Sequence, residues 1–192
     1  MPFRFRQSPS IPEIIIIEPE TFLDERGWFL ESYRKSDFEK HGIPFDFKQD
    51  NHSRSIARGT LRGLHYQKWP AAQAKLVRCV VGEVLDVAVD IRKGSPTYSK
   101  WVSANLSCEN HLMMWVPEGF AHGFLVTTGI AEVEYKLTAE YDQAQDRAIR
   151  WDDPVIGIKW PISNPVLSEK DAAAPYLKDA DNNFVWGETT NS

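Results

Sequence analysis

Leu61-Arg62-Gly63-Leu64-His65-Tyr66-Gln67 and Pro117-Glu118-Gly119-Phe120-Ala121-His122-Gly123-Phe124 are the two stretches that decide how this chain folds. Each places one histidine and a small-residue turn among apolar residues typical of short β-strands. The pattern predicts that each histidine stands on or beside a strand.

Strand signals dominate the rest of the chain. Residues 84–90, 101–106 and 132–137 are short, rich in β-forming residues and separated by glycine-containing turns. Many short strands at close spacing predict a mainly β fold, with the double-sheet jelly roll as one standard solution. In the third run Val133, Tyr135 and Leu137 share one face, so Tyr135 points into the pocket if that face lines the interior.

The two histidine stretches resemble those of small β-barrels of the cupin type, or double-stranded β-helix. In that fold the first stretch commonly supplies a His-x-His pair of metal ligands, but here the second histidine is replaced by Gln67. A transition-metal site generally needs three or four N, O or S ligands. The resemblance therefore implies a cupin pocket with no metal and no other cofactor, which works by acid–base chemistry.

A few short peripheral helices complete the prediction. Ser36-Asp37-Phe38-Glu39 has the form of a capping box, and Gly42 stands where a helix would end. A second short helix is expected after Ser168 and before Pro175. Residues 179–192 form a polar tail that is expected to be loosely held. No repeat, linker or boundary divides residues 1–192, which are expected to form one domain.

Composition narrows the class of protein. The chain has 192 residues, 42% hydrophobic residues and a net charge of -5, which argues against a general nucleic-acid or membrane-surface binder. Two cysteines, Cys79 and Cys108, are too few for a disulfide framework and are expected to be reduced thiols. The apolar run at residues 14–17 is too short for a signal peptide or membrane span. A cytoplasmic protein is expected.

Across residues 11–177 the chain resembles the dTDP-4-dehydrorhamnose 3,5-epimerase family. The resemblance is carried by eight blocks in the same order and with similar spacing: residues 24–27, 31–33, 49–53, 61–67, 73–78, 82–90, 117–124 and 167–171. It implies a cofactor-independent isomerase whose substrate is a dTDP-linked 4-keto-6-deoxyhexose. It also implies a homodimer in which the strand from Arg26 to Glu31 crosses to the partner subunit.

The resemblance assigns the proton-handling residues. His65 is implied as the base, a role that suits an imidazole because its ordinary pKa of about 6.5 lies near working pH. Asp171 is implied to orient that imidazole, and Tyr135 to be the opposing proton donor. Lys75 is implied to stabilise the developing enolate.

The resemblance also assigns a set of substrate-binding residues. Arginine gives bidentate recognition of phosphate, and an aromatic ring can stack on thymine. Tyr141 has that stacking position, and Asp146 stands where the family often has a glutamate. The binding positions carried over are Arg26, Glu31, Gln49, Asn51, Arg62, His122, Tyr141, Asp146 and Lys170.

Other functions remain open at the level of sequence. An enzyme that inverts only C3 or C5, or that moves the ketone between C3 and C4, would use the same scaffold. A non-catalytic cupin that binds a nucleotide sugar is the alternative from another class, and a metal-dependent cupin oxygenase is a third. The set of His65, Asp171 and Tyr135 favours the epimerase, and Gln67 disfavours the oxygenase.

Overall fold

The computed structural model of the protein describes residues 2–43 and 46–188, and most of their regular structure is antiparallel β-sheet. One sheet has six strands, in the order β1 (Phe3–Gln7), β2 (Ile15–Pro19), β10 (Met113–Val116), β7 (Lys75–Val81), β12 (Ala131–Leu137) and β5 (Gln49–Ser55). The other has five, in the order β13 (Asp146–Ala148), β6 (Leu61–Gln67), β11 (Phe120–Val126), β8 (Glu83–Asp90) and β9 (Trp101–Ser107). A separate hairpin consists of β3 (Thr21–Asp24) and β4 (Gly27–Leu30).

The two sheets pack face to face around a shared core. Val77 and Val133 from the six-stranded sheet are in one buried cluster with Val84 and Phe124 from the five-stranded sheet. Burying such apolar surface is the main force that holds two sheets together. The predicted cupin-type jelly roll is confirmed.

The predicted strands are present with small changes at their ends. Residues 84–90, 101–106 and 132–137 fall within β8, β9 and β12. In β12, Val133 and Leu137 are buried, and Tyr135 packs against the same core cluster. Tyr135 therefore lies on the inward face, as the alternation predicts.

The first helix, α1 (Lys35–Lys40), does not begin as predicted. Its N-cap is Arg34, which makes no side-chain capping hydrogen bond, so the predicted capping box at Ser36 is wrong. Buried Phe38 fixes the helix instead, with its ring edge-on to Phe3 and Phe5 at centroid distances of 5.2 Å. Tertiary packing therefore overrides the local capping signal.

The second helix, α2 (Glu169–Ala172), begins at the predicted residue. The Ser168 hydroxyl caps it by accepting a hydrogen bond of 3.1 Å from the Asp171 amide. A single 3₁₀ turn, Leu177–Asp179, follows. Among the described residues, none of the helices has the length and apolar character that a membrane crossing requires.

The expected loose tail is wrong for most of its length. Phe184 is buried, and the buried Asn182 side chain donates a hydrogen bond to the Ile91 carbonyl. The Trp186 ring lies 4.3 Å from the guanidinium carbon of Arg92, a distance suited to a cation–π contact. The isolated aromatic residues of the tail are therefore anchors. Residues 189–192 lie outside the described part of the chain.

Two glycines allow β6 and β11 to approach closely beside the two histidines. A Cβ atom on Gly63 would lie 2.6 Å from the Gly123 Cα, and one on Gly123 would lie 2.7 Å from the Arg62 carbonyl oxygen. Gly63 also has φ +118°, which side chains rarely adopt. The register breaks between His122 and Phe124, and His122 is paired with His65.

We expect Gly63→Ala to destabilise the protein by about 2 kcal/mol or more, since the new Cβ adds a clash to a strained φ. Urea unfolding measures the loss. Gly129→Ala is the matched control, because Gly129 is exposed and a Cβ atom added there would meet nothing within 4 Å. Equal unfolding midpoints for the two variants would contradict the close-approach argument.

Candidate active site

Two adjoining pockets open from the interior of the barrel and share His65, Lys75 and Tyr135. The first pocket, of about 330 Å³, is lined by Thr60, Leu61, Arg62, His65, Lys75, His122, Phe124, Tyr135, Val166, Leu167, Ser168 and Asp171. The second, of about 280 Å³, is lined by Gln49, Asn51, His65, Tyr66, Gln67, Gln73, Lys75, Tyr135, Leu137, Tyr141, Asp146 and Lys170. Small-molecule sites commonly have volumes of about 300–1,000 Å³. Because the two pockets adjoin each other, together they suit a ligand with two parts.

The two sheets supply opposite walls of the first pocket. His65 on β6 and His122 on β11 come from the five-stranded sheet, while Lys75 on β7 and Tyr135 on β12 come from the six-stranded sheet. A ligand between the sheets would therefore have a histidine on one side and a tyrosine on the other.

His65 is held by a buried carboxylate. Its Nε2 lies 2.5 Å from Asp171 Oδ1, and Asp171 is 3% exposed. Because Nε2 faces the carboxylate, Nδ1 is the ring nitrogen left for a ligand. The His65 side chain itself is 32% exposed, so the ring can be reached.

Asp171 is built to remain ionised. Burial by itself raises the pKa of this carboxyl, but hydrogen bonds from His65, Ser168 and the Gly63 backbone outweigh it and hold the pKa below its ordinary value. The Ser168 hydroxyl donates to Asp171 Oδ2 over 2.8 Å. A carboxylate of this kind fixes the tautomer of its histidine and stabilises the imidazolium that proton uptake creates.

Lys75 is a buried cation in the same pocket. It is 7% exposed, and its Nζ donates a hydrogen bond of 3.4 Å to the His65 carbonyl. Burial lowers the pKa of Lys75 to about 8, against the opposing effect of Asp86 and Asp146. Below that pH the ammonium group is available to stabilise negative charge that develops on a ligand.

His122 makes a second histidine–carboxylate pair. Its Nε2 lies 2.8 Å from Asp86 Oδ1, with side-chain exposures of 6% and 0%. Burial lowers the pKa of His122, although Asp86 acts in the opposite direction. The first pocket therefore holds one accessible histidine and one buried histidine whose pKa lies below its ordinary value.

The second pocket brings together five of the predicted binding residues. The Tyr141 amide donates to Gln49 Oε1 over 2.8 Å, and Gln49 Nε2 donates to Asn51 Oδ1 over 2.8 Å. Asp146 Oδ2 accepts hydrogen bonds from the Tyr141 hydroxyl, at 3.3 Å, and from Lys170. The Asp146 side chain is shorter than the glutamate that the family often has, yet it links Tyr141 to Lys170. The Tyr141 ring is 57% exposed and remains free for stacking.

The remaining three predicted binding residues do not share one pocket. Arg62 lines the first pocket, where its guanidinium donates to the Ser55 hydroxyl over 3.2 Å. Arg26 and Glu31 line neither pocket. The Arg26 side chain lies in the exposed hairpin turn, 90% exposed and paired with Asp24, and Glu31 is paired with Arg34. A single chain does not bring them to the site.

Gln67 stands at the position where a cupin commonly has its second metal-ligating histidine, and here its side chain connects loops. Its side-chain nitrogen donates to the Ala71 and Glu140 carbonyls over 2.7 and 3.2 Å, and its oxygen accepts from the Asp142 amide. It therefore ties together two loops beside the second pocket. Within residues 2–43 and 46–188, no three His, Cys, Asp or Glu side chains cluster as metal ligands would.

Two residues of the site are not predicted as functional from the sequence. Asp86 contacts His122, and Ser168, which the sequence marks only as a helix start, contacts Asp171. The available signal for Asp86 is a carboxylate in the middle of the apolar run Val84-Leu85-Asp86-Val87-Ala88-Val89. A charge at a buried strand position needs a partner, and here the partner is His122.

The fold and the pockets together define a cupin-type barrel with an acid–base site between its sheets. The family model for dTDP-4-dehydrorhamnose 3,5-epimerase matches residues 8–179, and the chain belongs to this family.

Individual relatives agree over nearly the whole chain. The dTDP-4-dehydrorhamnose 3,5-epimerase of Shigella flexneri is 56% identical, and the match covers 90% of this chain and 95% of the relative. The crystal structure of dTDP-6-deoxy-D-glucose-3,5-epimerase from Legionella pneumophila Philadelphia 1, in complex with dTDP-4-keto-L-rhamnose, is 47% identical. It has a TM-score of 0.88 and covers 92% of this chain and 93% of its own.

A relative with a narrower activity has the same fold. The structure of a 3'-monoepimerase from Streptomyces bikiniensis, in complex with dTDP-quinovose, is 35% identical with a TM-score of 0.83. The match covers 90% of this chain and 88% of that one. The barrel by itself therefore does not fix the number of carbons that are inverted.

Proposed function

We propose that this chain is an isomerase that inverts C3 and C5 of dTDP-4-dehydro-6-deoxy-D-glucose to give dTDP-4-dehydro-L-rhamnose. The observation that carries the proposal is the placement of the His65–Asp171 pair on one wall of the first pocket and Tyr135 on the other. Membership of the epimerase family supports the same reaction.

The chemistry of the sugar explains why one histidine can serve both carbons. C3 and C5 flank the C4 ketone, so removing a proton from either carbon gives an enolate that shares the same oxygen. In the chair form of a D-gluco sugar the hydrogens on C3 and C5 are both axial and lie on the same face of the ring. A single base below that face can therefore reach both.

The residues of the first pocket supply the remaining steps. We assign proton abstraction to His65, with Asp171 stabilising the resulting imidazolium. Lys75 provides positive charge for the enolate oxygen. Tyr135, on the opposite sheet, returns a proton to the other face of the ring, which inverts the carbon. Each role uses a side chain that lines the first pocket.

The second pocket suits the nucleotide. Tyr141 offers an exposed ring for stacking on thymine, and Lys170 offers positive charge to the diphosphate. Arg62, which lines the adjoining first pocket, offers a second positive charge. Gln49 and Asn51 supply side-chain amides beside the ring. A dTDP-linked sugar would thus occupy both pockets at once, and a nucleotide-linked substrate also fits the cytoplasmic location expected from the sequence.

The reaction is tested by incubating the protein with dTDP-4-dehydro-6-deoxy-D-glucose in deuterated water. The wild type should incorporate deuterium at both C3 and C5, whereas His65→Ala should lose exchange at both carbons by about 10²–10⁴-fold, because it removes the only proposed base. NMR of the sugar measures both sites. Deuterium at C3 alone in the wild type would indicate a monoepimerase, and a non-catalytic binding protein would give none.

A histidine outside the pockets gives the control. His41→Ala should exchange at the wild-type rate, because His41 stacks on Phe5 at a centroid distance of 4.0 Å and lines neither pocket. Near-normal exchange at either carbon in His65→Ala would contradict the single-base assignment.

Tyr135→Phe separates abstraction from inversion. The variant keeps the ring but loses the hydroxyl, so we expect it to form the enolate and exchange deuterium while making much less inverted product. Loss of a positioned acid typically costs about 10²–10⁴-fold. The ratio of exchanged to inverted sugar is the measurement. If Tyr135→Phe epimerises at close to the wild-type rate, the proton donor is another residue.

We also propose that two copies of the chain exchange their β3–β4 hairpins, and that each hairpin completes the partner's site. The hairpin exposes four large apolar side chains: Phe22, Leu23, Trp28 and Phe29, with exposures of 50%, 80%, 57% and 65%. Phe22 is paired with Phe29 and Leu23 with Trp28, so each face of the hairpin carries one exposed apolar pair. Exposed apolar surface of this kind is typical of an interaction site. The hairpin turn also carries Arg26, whose guanidinium is paired with Asp24 and otherwise faces outward from its own chain.

Mixed dimers test whether Arg26 acts across the interface. Arg26→Ala alone should lower kcat/KM by about tenfold or more, as expected for a lost charge-assisted hydrogen bond. In a purified heterodimer of Arg26→Ala and His65→Ala chains, one site would combine an intact His65 with the partner's intact arginine. We expect about half of the wild-type activity, since one of the two symmetric sites is complete.

The same heterodimer gives a different result if Arg26 does not act across the interface. If Arg26 acts within its own chain, neither site of the heterodimer is complete and activity stays near that of the two parent variants. A monomeric wild type in sedimentation would also contradict the proposal.

A further inference from the structure

Asp86 presents an unusual buried charge behind the first pocket. The residue is 0% exposed, and one carboxylate oxygen, Oδ1, is used by His122. The other oxygen, Oδ2, is buried and has no hydrogen-bond partner among the described residues. A buried carboxylate is costly unless hydrogen-bond donors or a positive charge lie nearby.

We propose that Asp86 is a positioning residue with two effects: it fixes His122 in the tautomer that carries its proton on Nε2, and it is the counter-charge of Lys75. This inference rests on the proposed function, because it concerns the same pocket. Asp86 lines neither pocket, and it acts through His122 and Lys75, which line the first one.

The tautomer follows from the hydrogen bond. An ionised carboxylate only accepts hydrogen bonds, so the His122 Nε2 atom that faces Asp86 carries the proton. Burial keeps the pKa of His122 below its ordinary value, so the ring is neutral and Nδ1 keeps its lone pair. His122 can therefore accept a hydrogen bond from a sugar hydroxyl, whereas His65 in its more open position can take up a proton.

The counter-charge argument depends on the surroundings of Lys75. Three charged groups act on its pKa, namely Asp86, Asp146 and Lys170. The other charged or titratable groups that line its two pockets are Arg62, His65, Tyr66, His122, Tyr135, Tyr141 and Asp171. Of the three carboxylates, Asp146 is already paired with Lys170 and Asp171 with His65. Asp86 is the one with an unused oxygen, and it contacts His122, which lines the first pocket together with Lys75. This placement makes Asp86 the counter-charge of Lys75.

The counter-charge is tested with Asp86→Asn, which preserves shape and leaves a carbonyl oxygen that can still accept from His122. In the wild type we expect kcat/KM to fall as pH rises through about 8, where Lys75 loses its proton. Losing a nearby opposite charge lowers the pKa of a lysine, so the alkaline limb should move down by about one pH unit or more. Activity at about pH 8 should then fall by about fivefold or more, since the protonated fraction of Lys75 drops from about one half to about one tenth.

Asp90→Asn is the matched control. Asp90 lies four residues further along β8 and is also 0% exposed, but its partners are Arg92, Ser95 and Thr97. This variant should lose stability, but its kcat/KM should fall at the same alkaline pH as in the wild type. If kcat/KM of Asp86→Asn also falls at the wild-type pH, the counter-charge role is overturned.

The tautomer is measured on the wild-type protein, and a variant serves only to assign the signal. In protein labelled with ¹⁵N-histidine, the His122 ring should give the shifts of a neutral imidazole protonated at Nε2. The His122→Asn variant assigns the signal by its disappearance. A ring protonated at Nδ1, or at both nitrogens near neutral pH, would overturn the assignment. This readout needs no substrate, so it stands apart from any failure of the proposed reaction.

Discussion

The close approach of β6 and β11 is the constraint on which the site depends. Gly63 and Gly123 leave no room for a Cβ atom where the strands meet, and His65, two residues beyond Gly63, is paired with His122. Because interstrand hydrogen bonding fixes the relative position of the strands, this contact also fixes the spacing of the two histidines. Both strands belong to one wall of the first pocket, so the other wall is set only by how the six-stranded sheet packs against it.

The two histidine–carboxylate pairs contain the same chemical groups but behave differently because their burial differs. The His65 side chain is 32% exposed, whereas that of His122 is 6% exposed. Burial holds the pKa of His122 below its ordinary value, because a desolvated ring resists becoming charged. Under the proposed function, the more open pair supplies the base and the buried pair supplies a neutral hydrogen-bonding group, both from one residue type.

Much of the architecture could be predicted locally, and the errors have a common cause. Strands β8, β9 and β12 were predictable because alternation and β-forming residues act over a few neighbours. The capping box at Ser36 and the loose tail were wrong because distant contacts decided both: Phe38 fixes α1 against β1, and Phe184 and Trp186 anchor the tail. Local signals are weak where a buried aromatic ring is available to override them.

The sequence by itself determined the type of fold, the family resemblance and the identity of the chemical groups, since these follow from strand periodicity and from motifs read along the chain. Tertiary structure alone decided which groups meet. His65 and Asp171 are separated by 106 residues yet lie 2.5 Å apart, and Asp86 reaches His122 across 36 residues. The tertiary structure also leaves Arg26 outside the pockets of its own chain. Contacts of this kind depend on strand order and burial, which no local pattern encodes.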